Sequence, residues 1–433
     1  MASTFKTIEG TFDVLPGAAV AVHRVEAWQE VERGIRAVMH RFAFEEIRTP
    51  ILEPTALIAR GIGQLTDIVS KEMFSFERGR TSYVLRPEMT APVVRAYLQH
   101  HLSQRPGAAR LCYLGPCFRA ERPQRGRYRQ FHQFGAEILG VTDSRADAEI
   151  ILVMMAIYEE LGVTGTDLRI NTLGDEHSRP RYRQALQAYL EQFKGDLSPI
   201  SQERLARNPL RILDTKVANE RELLQGAPKL PDYVDKHSRA HYEALKGWLD
   251  DANVRYTEDP FLVRGLDYYT RTAFELEHAK IGAQSALAGG GRYDLLASAI
   301  GSRHPVPAVG FAAGLERLFL ALDAAGVTLP GRQPVDVWVV AMGPDAERQA
   351  FSLVQACRRA GLRTGSDWSG RSLKAQMRLA NRAAASYVVI LGERELSSGQ
   401  VQIRQMRTGM QTAAPMNTIV TYLQSQQNAS AIT

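Results

Sequence analysis

YLGPCFRAERPQRGRYRQFHQFGAE, residues 113–137, crowds like charge into one short segment. Between Arg119 and Glu137 it contains five arginines and two glutamates. Guanidinium groups this close repel one another unless a polyanion or several carboxylates lie among them. Apolar and polar residues alternate on both sides of a PQRG turn, which predicts a hairpin of two strands at 111–121 and 127–140. The segment therefore predicts a binding site on a β-hairpin, and a surface hairpin with solvated charges is the alternative.

Strand alternation predicts which side chains of this hairpin share one face of the sheet. The residues of one parity are Arg127, Arg129, Phe131, Gln133, Gly135 and Glu137. Arginines bind phosphate through paired hydrogen bonds, an aromatic ring offers a base a stacking surface, and glycine lets a ligand approach the sheet. A carboxylate with an amide suits an amine-bearing ligand. The face therefore predicts, in order, phosphates, a base and an amino compound, whereas His132 points to the other face and has no metal-ligand spacing around it.

Four other segments carry candidate site residues. RPEMT (86–90) offers Glu88 and Thr90 as an amine clamp, although both residues also favour an ordinary helix N-terminus. VRGLDYY (263–269) places Arg264 and Asp267 beside two tyrosines, and in a strand only one of Tyr268 and Tyr269 would readily line the pocket. GGGRYD (289–294) is neither a Walker loop nor a dinucleotide-binding fingerprint. GFAAGLERL (310–318) predicts a helix start that carries Arg317.

Length and charge predict more than one domain. The 433 residues suffice for two or three domains, and LPGRQP (329–334) is typical of a linker. Residues 177–250 are polar and helical in pattern, which predicts an inserted subdomain. After the linker, strands alternate with helices, which predicts an α/β domain with a mainly parallel sheet. Residues 333–433 hold 11 Lys and Arg against 6 Asp and Glu, so this part has most of the formal net charge of +6. That excess fits binding to a phosphate backbone, and a solvated basic surface is the alternative.

The remaining composition predicts a cytoplasmic protein that does not enter a membrane. The first residues contain no apolar core of signal-peptide length, and the longest apolar run, 150–157, is too short to cross a bilayer. The three cysteines, Cys112, Cys117 and Cys357, form no CxxC pair and no zinc spacing. They are expected to be reduced thiols.

Taken together, these motifs resemble those of histidyl-tRNA synthetases, which are class II aminoacyl-tRNA synthetases, over nearly the whole chain. FAFEEIRTPILEPTALIARGIG (42–63) resembles the dimer-interface motif 1, with its proline at Pro50. Residues 113–137 resemble motif 2, and GFAAGLERL resembles motif 3. LVRGLDYYTRTAFE (262–275) and GGGRYD resemble the two histidine-specific motifs. NPLRILDTK (208–216) is similar to the family's insertion, and residues 372–403 to its anticodon-binding domain.

The resemblance implies an α+β fold. Residues 1–328 would form a class II catalytic domain with an antiparallel sheet and a mostly helical insertion at about 177–250. Residues 333–433 would form a C-terminal α/β anticodon-binding domain. The implied reaction joins histidine and ATP, with Mg²⁺, into histidyl-adenylate and pyrophosphate, and then moves the histidyl group to histidine tRNA. A homodimer is implied as well.

Roles for single residues follow from the same motifs. For ATP, the resemblance implies contacts from Arg119, Glu121, Arg127, Phe131 and Arg317. Arg119 and Arg264 would be catalytic at the α-phosphate, where fixed cations stabilise developing charge. For histidine, it implies contacts from Glu88, Thr90, Gln133, Glu137, Arg264, Tyr268, Tyr269 and Tyr293. Gln124 and Arg125 would contact the tRNA acceptor end. Met89 stands where a small residue is expected, so it either narrows the pocket or points into the core.

Two other classes of protein compete with this interpretation. A catalytically silent, histidine-binding regulator of a biosynthetic enzyme would have the same fold, but such proteins typically lack the C-terminal domain and lose the ATP arginines. A nucleic-acid-binding module without chemistry would leave the histidine motifs unexplained. Arg119, Arg127, Arg264 and Arg317 are all present in this chain, which favours the synthetase.

Overall fold

The computed structural model describes residues 5–63, 66, 68–266 and 268–431. The chain forms two compact units, Met1–Leu329 and Pro330–Thr433. The boundary between them falls at the start of the LPGRQP segment.

The first unit combines two sheets with surrounding helices. Its helices are α1 (Val25–Arg41), α2 (Thr55–Ile62), α3 (Thr90–Gln99), α4 (Ser144–Glu160), α5 (Ser178–Glu191), α6 (Pro199–Arg207), α7 (Ala218–Gln225), α8 (Lys236–Asp251), α9 (Leu296–Ala299) and α10 (Leu315–Ala324). Its strands are β1 (Glu45–Glu46), β2 (Leu52–Pro54), β3 (Ser75–Arg78), β4 (Thr81–Leu85), β5 (Ala109–Phe118), β6 (Gln130–Leu139), β7 (Thr166–Thr172), β8 (Thr257–Glu258), β9 (Thr270–His278), β10 (Ala286–Arg292) and β11 (Ala308–Gly314). Short 3₁₀ turns lie at Ala21–His23, Leu102–Gln104, Lys194–Asp196, Pro209–Ile212, Leu230–Tyr233 and Ala279–Gln284, and a π-helical turn at Ile68–Glu72.

An eight-stranded sheet forms the centre of this unit, in the order β1-β5-β6-β11-β10-β9-β7-β8. Its inner pairings, from β5 to β7, are antiparallel, and only the short edge strands β1 and β8 pair in parallel. The α+β fold with an antiparallel catalytic sheet is thus confirmed. The predicted hairpin is also confirmed, because β5 and β6 pair in antiparallel register, with Cys117 opposite Phe131.

One face of the sheet packs against helices α1, α4, α8 and α10. Phe134, Ala136 and Ile138 of β6 are buried in this core together with Ile150 and Met154 of α4. The alternation predicted for β6 therefore holds from Phe134 onward, since the even-numbered side chains of this part of the strand enter the core. Side chains of the other parity are left for the opposite face, where the candidate site lies.

The predicted insertion at 177–250 divides into two parts. Helices α5, α6 and α7 bury their apolar side chains, such as Tyr182, Leu205 and Leu224, in a second cluster beside the sheet. Helix α8 instead packs its Tyr242 on the sheet's own core. The inserted subdomain therefore ends before α8, because the apolar side chains of α8 pack on the sheet and not on the helices of the insertion.

A buried ion pair ties α4 to the end of β10. The guanidinium group of Arg292 and the carboxylate of Asp147 are both fully buried, and the Nε of Arg292 lies 3.2 Å from Oδ1 of Asp147. Arg292 Nη1 also donates to Oδ1 of Asp294 at 3.1 Å. Removing one partner of such a pair typically costs about 3–5 kcal/mol, because the other charge stays buried alone. The pair fixes the end of β10, directly before Tyr293, whose hydroxyl bonds the buried Glu137.

The second unit is a five-stranded sheet flanked by helices. Its strands are β12 (Val337–Ala341), β13 (Thr364–Ser366), β14 (Tyr387–Leu391), β15 (Gln400–Gln405) and β16 (Gln411–Pro415). Its helices are α11 (Pro344–Arg359), α12 (Leu373–Arg382), α13 (Glu393–Ser398) and α14 (Ile419–Ala431). In the order β13-β12-β14-β15-β16, the first two pairings are parallel and the last two antiparallel. The expectation of a mainly parallel sheet was wrong, because the connection from β14 to β15 is too short for a parallel crossover.

Candidate active site

A cavity of about 260 Å³ opens on the sheet face opposite the helix-packed core. Most of the predicted site residues line it together, namely Glu88, Thr90, Arg119, Glu121, Arg127, Phe131, Gln133, Arg264, Tyr268, Tyr269 and Arg317. They come from the loop before α3, the β5–β6 hairpin, the loop before β9 and the start of α10. Glu137, Tyr293, Gln124 and Arg125 do not line the cavity.

Three arginines give one end of the cavity a positive potential. The pKa of Arg317 is lowered, first by burial of its guanidinium group and then by repulsion from Arg127 and Arg119. Glu121 lies between the last two, with Oε2 at 3.1 Å from Nη1 of Arg127 and Oε1 at 3.7 Å from Nη1 of Arg119. Arg119 also lies over the ring of Phe131, 5.2 Å from its centroid. Like charges held this closely favour a polyanionic ligand.

A fourth arginine, Arg264, is held by an acid that the sequence reasoning missed. Its Nη1 lies 2.5 Å from Oε2 of Glu275 on β9. Burial opposes the charge of Arg264, but the carboxylate of Glu275 outweighs it, so the pKa of Arg264 is raised. Gly289 makes room for this guanidinium group, since a Cβ there would lie 2.1 Å from its Nη2. The glutamate between Phe274 and Leu276 in the segment AFELE (273–277) was the available signal for Glu275.

Both Tyr268 and Tyr269 line the cavity. The expectation that only one of them would do so was wrong. It assumed a strand, but β9 begins at Thr270, and the tyrosines lie in the preceding loop, where side chains do not alternate. Their ring centroids are 4.6 Å apart. Asp267, the acid proposed beside them, lies outside the described residues.

Glu88 both lines the cavity and caps a helix. Its Oε2 accepts the backbone N–H of Thr90 at 2.8 Å, and its Oε1 accepts that of Ala91 at 2.9 Å. Burial is the largest influence on the Glu88 carboxyl group and raises its pKa. Met89 is 1% exposed and packs in the core, so its size does not narrow the cavity.

Glu137 lies one layer beneath the cavity and is fully buried. Its Oε1 accepts hydrogen bonds from the hydroxyls of Thr90 at 2.8 Å and Tyr113 at 3.1 Å, and its Oε2 from that of Tyr293 at 2.5 Å. Burial raises the pKa of Glu137 to about 8 although these hydroxyls lower it. A ligand can therefore bind this carboxyl group only if one of the hydroxyls breaks its hydrogen bond and moves away.

Gly135 does not serve the ligand directly, contrary to the expectation. A Cβ at this position would lie 2.2 Å from the backbone oxygen of Phe311 and 2.5 Å from the hydroxyl oxygen of Tyr113. Glycine is needed here because Tyr113 crosses the neighbouring strand to reach Glu137.

The alternation predicted for the hairpin fails at its turn. Strand β6 begins at Gln130, and residues before it form a turn closed by the pairing of Gln124 with Arg127. Tyr128, assigned to the opposite face, therefore lines the cavity, while Arg129 Nη1 donates to the backbone oxygen of Glu9 at 3.1 Å. Gln124 and Arg125 lie exposed at the tip of this turn.

Glu316 is a second lining residue that the sequence reasoning missed. Both of its carboxylate oxygens lie 3.0 Å from the backbone nitrogen of His132, and Oε1 is also 3.0 Å from Nδ1 of that ring. The contact fixes the start of α10, and with it Arg317, against strand β6. Its position directly before Arg317 in GLERL was the signal that could have found it.

Within the described ranges, no three His, Cys, Asp or Glu side chains are arranged to hold a metal ion. No described helix is both long and apolar enough to cross a bilayer. The three cysteines are buried and form no disulfide.

Comparison with known proteins adds independent findings. A family model described as histidyl-tRNA synthetase matches residues 10–318, and one described as anticodon binding domain matches residues 336–426. The chain is 47% identical to the histidine–tRNA ligase of Chloroherpeton thalassium, covering 98% of both chains, and 47% identical to that of a Synechococcus species, covering 98% of this chain and 99% of the relative. Its fold matches the crystal structure of the apo histidyl-tRNA synthetase of S. aureus with a TM-score of 0.80 and 35% identity, covering 97% of this chain and all of the other.

Proposed function

The chain belongs to the histidyl-tRNA synthetase family, and we propose that the cavity is where the family's reaction takes place in this protein. The enzyme activates L-histidine with ATP to histidyl-adenylate and pyrophosphate, and then transfers the histidyl group to the 3′ end of histidine tRNA. The observation that supports this location is the presence of four arginines, an aromatic ring and an amine-compatible carboxylate in one cavity.

The arginine end of the cavity is the ATP site in this proposal. Arg127 and Arg317 bind the outer phosphates, and Phe131 stacks on the adenine. Arg119 contacts the α-phosphate. Burial lowers the pKa of Arg317 most, and repulsion from Arg127 and Arg119 adds to it; that repulsion is relieved when phosphates lie among the three guanidinium groups.

Arg264 serves as the fixed cation for the chemical step. The carboxylate of histidine attacks the α-phosphorus, so no protein side chain is needed as a nucleophile. Charge builds up on the α-phosphate oxygens in the transition state, and Arg264 is held in place by Glu275 before the reaction begins. Preorganised groups of this kind need no reorganisation at the moment of reaction, and each contributes about 3–4 kcal/mol to lowering the barrier.

The proposed histidine site is formed by other residues of the same cavity. Glu88, Thr90 and Gln133 hold the α-amino group, because the cavity presents the carboxylate, hydroxyl and amide together. Tyr268 and Tyr269 enclose the imidazole, with Tyr293 behind them. Glu137 accepts an imidazole N–H after one of its bound hydroxyls has moved aside.

Magnesium is proposed to arrive with ATP rather than to occupy a site built by the protein. Mg²⁺ commonly keeps several waters and takes one or two carboxylates together with substrate phosphates. Glu121 lines the cavity between the phosphate-binding arginines and fits the part of such a carboxylate. When bound, the ion would neutralise charge on the phosphates.

Transfer RNA is proposed to contact two regions. Gln124 and Arg125, exposed at the hairpin turn, are placed to meet the acceptor end. The second unit matches an anticodon-binding domain, and its residues 333–433 have a formal charge of +5, which fits an RNA backbone.

A homodimer and a cytoplasmic location complete the proposal. Leu52 on β2 and Phe76 on β3 are 47% and 46% exposed on the small sheet β2-β4-β3. Ile51, which directly precedes β2 in the motif 1 segment, is 42% exposed. Exposed apolar side chains grouped in this way favour a protein interface. The buried, unpaired cysteines fit a reducing compartment.

Histidine-dependent exchange of pyrophosphate into ATP tests the activation step, and charging of histidine tRNA tests the transfer. We expect both activities in the purified protein. Histidine binding without exchange would instead support the regulatory alternative, which the ligase relatives do not favour. Sedimentation at several concentrations tests the dimer.

A further inference from the structure

The helical insertion touches the loop that carries Arg264. The contact comes from the 3₁₀ turn Pro209–Ile212, which follows α6. Nη2 of Arg211 donates to the backbone carbonyl of Gly265 at 2.5 Å. Gly265 directly follows Arg264, so this hydrogen bond acts on the backbone of the proposed catalytic cation.

The loop has little regular structure of its own. Residues 263–266 and 268–269 belong to no described helix or strand. Its beginning is held where Nδ2 of Asn171 donates to the carbonyl of Leu262 at 2.9 Å, and its end where β9 starts at Thr270. A loop without strand pairing needs side-chain contacts to hold one conformation. The bond from Arg211 supplies such a contact midway between the two anchors.

Arg264 is thereby fixed at both of its ends. Glu275, on the sheet, binds the guanidinium group. Arg211, on the insertion, binds the backbone one residue further on. We propose that Arg211 is a positioning residue for adenylate formation, which makes the insertion part of the catalytic apparatus through the orientation of Arg264.

The surroundings of Arg211 support this role. Nη1 of Arg204 on α6 lies 3.3 Å from the carbonyl oxygen of Arg211, which braces the turn from behind. Asp214, three residues on, has its pKa raised by burial and then by repulsion from Glu275, while Lys216, Arg211 and Arg264 act to lower it. The turn and the Arg264–Glu275 pair therefore share one electrostatic environment.

A merely structural role for Arg211 would have a different signature. Loosening the insertion would lower stability or affect both substrates, whereas misorienting Arg264 would slow the chemical step alone. Displacement of a catalytic group by about 1 Å can cost 100-fold in rate. The KM for ATP would remain near normal, because the other proposed ATP-binding residues lie on other elements. The KM for histidine would change little, because Tyr268 and Tyr269 lie at the end of the loop that β9 anchors at Thr270.

The experiment measures single-turnover histidyl-adenylate formation in the full-length chain. We expect Arg211→Ala to lower the rate constant about 10- to 100-fold with both KM values within about twofold. Arg211→Lys, which keeps a charged donor, should recover most of the rate. Arg221→Ala, at an exposed arginine of α7 on the same insertion, is the matched control and should react normally.

A double-mutant cycle with Arg264→Ala separates the inference from the proposed function on which it rests. If Arg211 acts through Arg264, adding Arg211→Ala to Arg264→Ala changes the rate by less than about twofold. If the double variant is slowed by the product of the two single effects, or if Arg211→Ala alone reacts at the normal rate, the inference is overturned. Either result leaves the role of Arg264 intact. A normal rate for Arg264→Ala would overturn both.

Discussion

Glu137→Gln tests how the protein recognises the imidazole of histidine. The substitution keeps the size of the side chain but removes its capacity for negative charge. The carboxyl group accepts three hydroxyl hydrogen bonds, so the amide would retain the carbonyl oxygen and turn an N–H₂ toward one former donor. We expect the fold to persist and the recognition of histidine to weaken.

The expected magnitude follows from the hydrogen bonds at stake. Leaving a buried polar group without its hydrogen-bond partner costs about 1–3 kcal/mol, which corresponds to about 5- to 150-fold in KM for histidine. The KM for ATP should change by less than about twofold, because the hydrogen bonds of Glu137 go to Thr90, Tyr113 and Tyr293, none of which is assigned to ATP. Discrimination against amino acids of similar size should fall as well, because a site built to hydrogen-bond its substrate rejects analogues that leave it unpaired.

The assay is steady-state pyrophosphate exchange, with histidine and ATP varied in turn. Glu53→Gln is the matched control, since Glu53 is a buried glutamate paired with Arg95 that does not line the cavity. Its loss should affect stability without a selective rise in the histidine KM. If the two KM values of Glu137→Gln rise together, or only its stability falls, Glu137 does not read the imidazole.

Three further predictions address other parts of the molecule. Arg264→His should slow single-turnover adenylate formation about 100-fold or more with near-normal substrate KM values, and an unchanged rate would exclude its catalytic role. A chain that ends at Leu329 should keep measurable pyrophosphate exchange but charge tRNA less well. The tRNA affinity that it loses should be the salt-sensitive part, and equal charging by the truncated and the full-length chains would contradict this prediction. Because burial raises the pKa of Glu137 from 4.5 to about 8, the folded chain keeps a proton that the unfolded chain releases. The free energy of unfolding should therefore fall by about 1.4 kcal/mol per pH unit from this group between pH 5 and 8, and an equal slope in Glu137→Gln would refute the assignment.

The hairpin shows what could be predicted locally. The pleat of a strand forces side chains to alternate, so the buried Phe134 and the site-facing Gln133 could be assigned from sequence alone. The same rule failed at Tyr128 and at the pair Tyr268 and Tyr269, because those residues lie in a turn and a loop. The resemblance to a known family correctly assembled most of the lining residues from segments far apart in the chain.

Other features depend on which surfaces pack together. Arg264 meets Glu275 because Gly289 on the neighbouring strand leaves room for the guanidinium group. Gly135 has no side chain because the hydroxyl of Tyr113 occupies that space on its way to Glu137, and Arg211 reaches Gly265 from a separate subdomain. In the second unit, the antiparallel direction of the last two pairings depended on the short connections before and after β15. Sequence by itself determined the period of each strand, the family and the charges brought to the site. Tertiary structure decided the partners of those charges, because hydrogen bonds and burial join atoms that no local rule of chain geometry brings together.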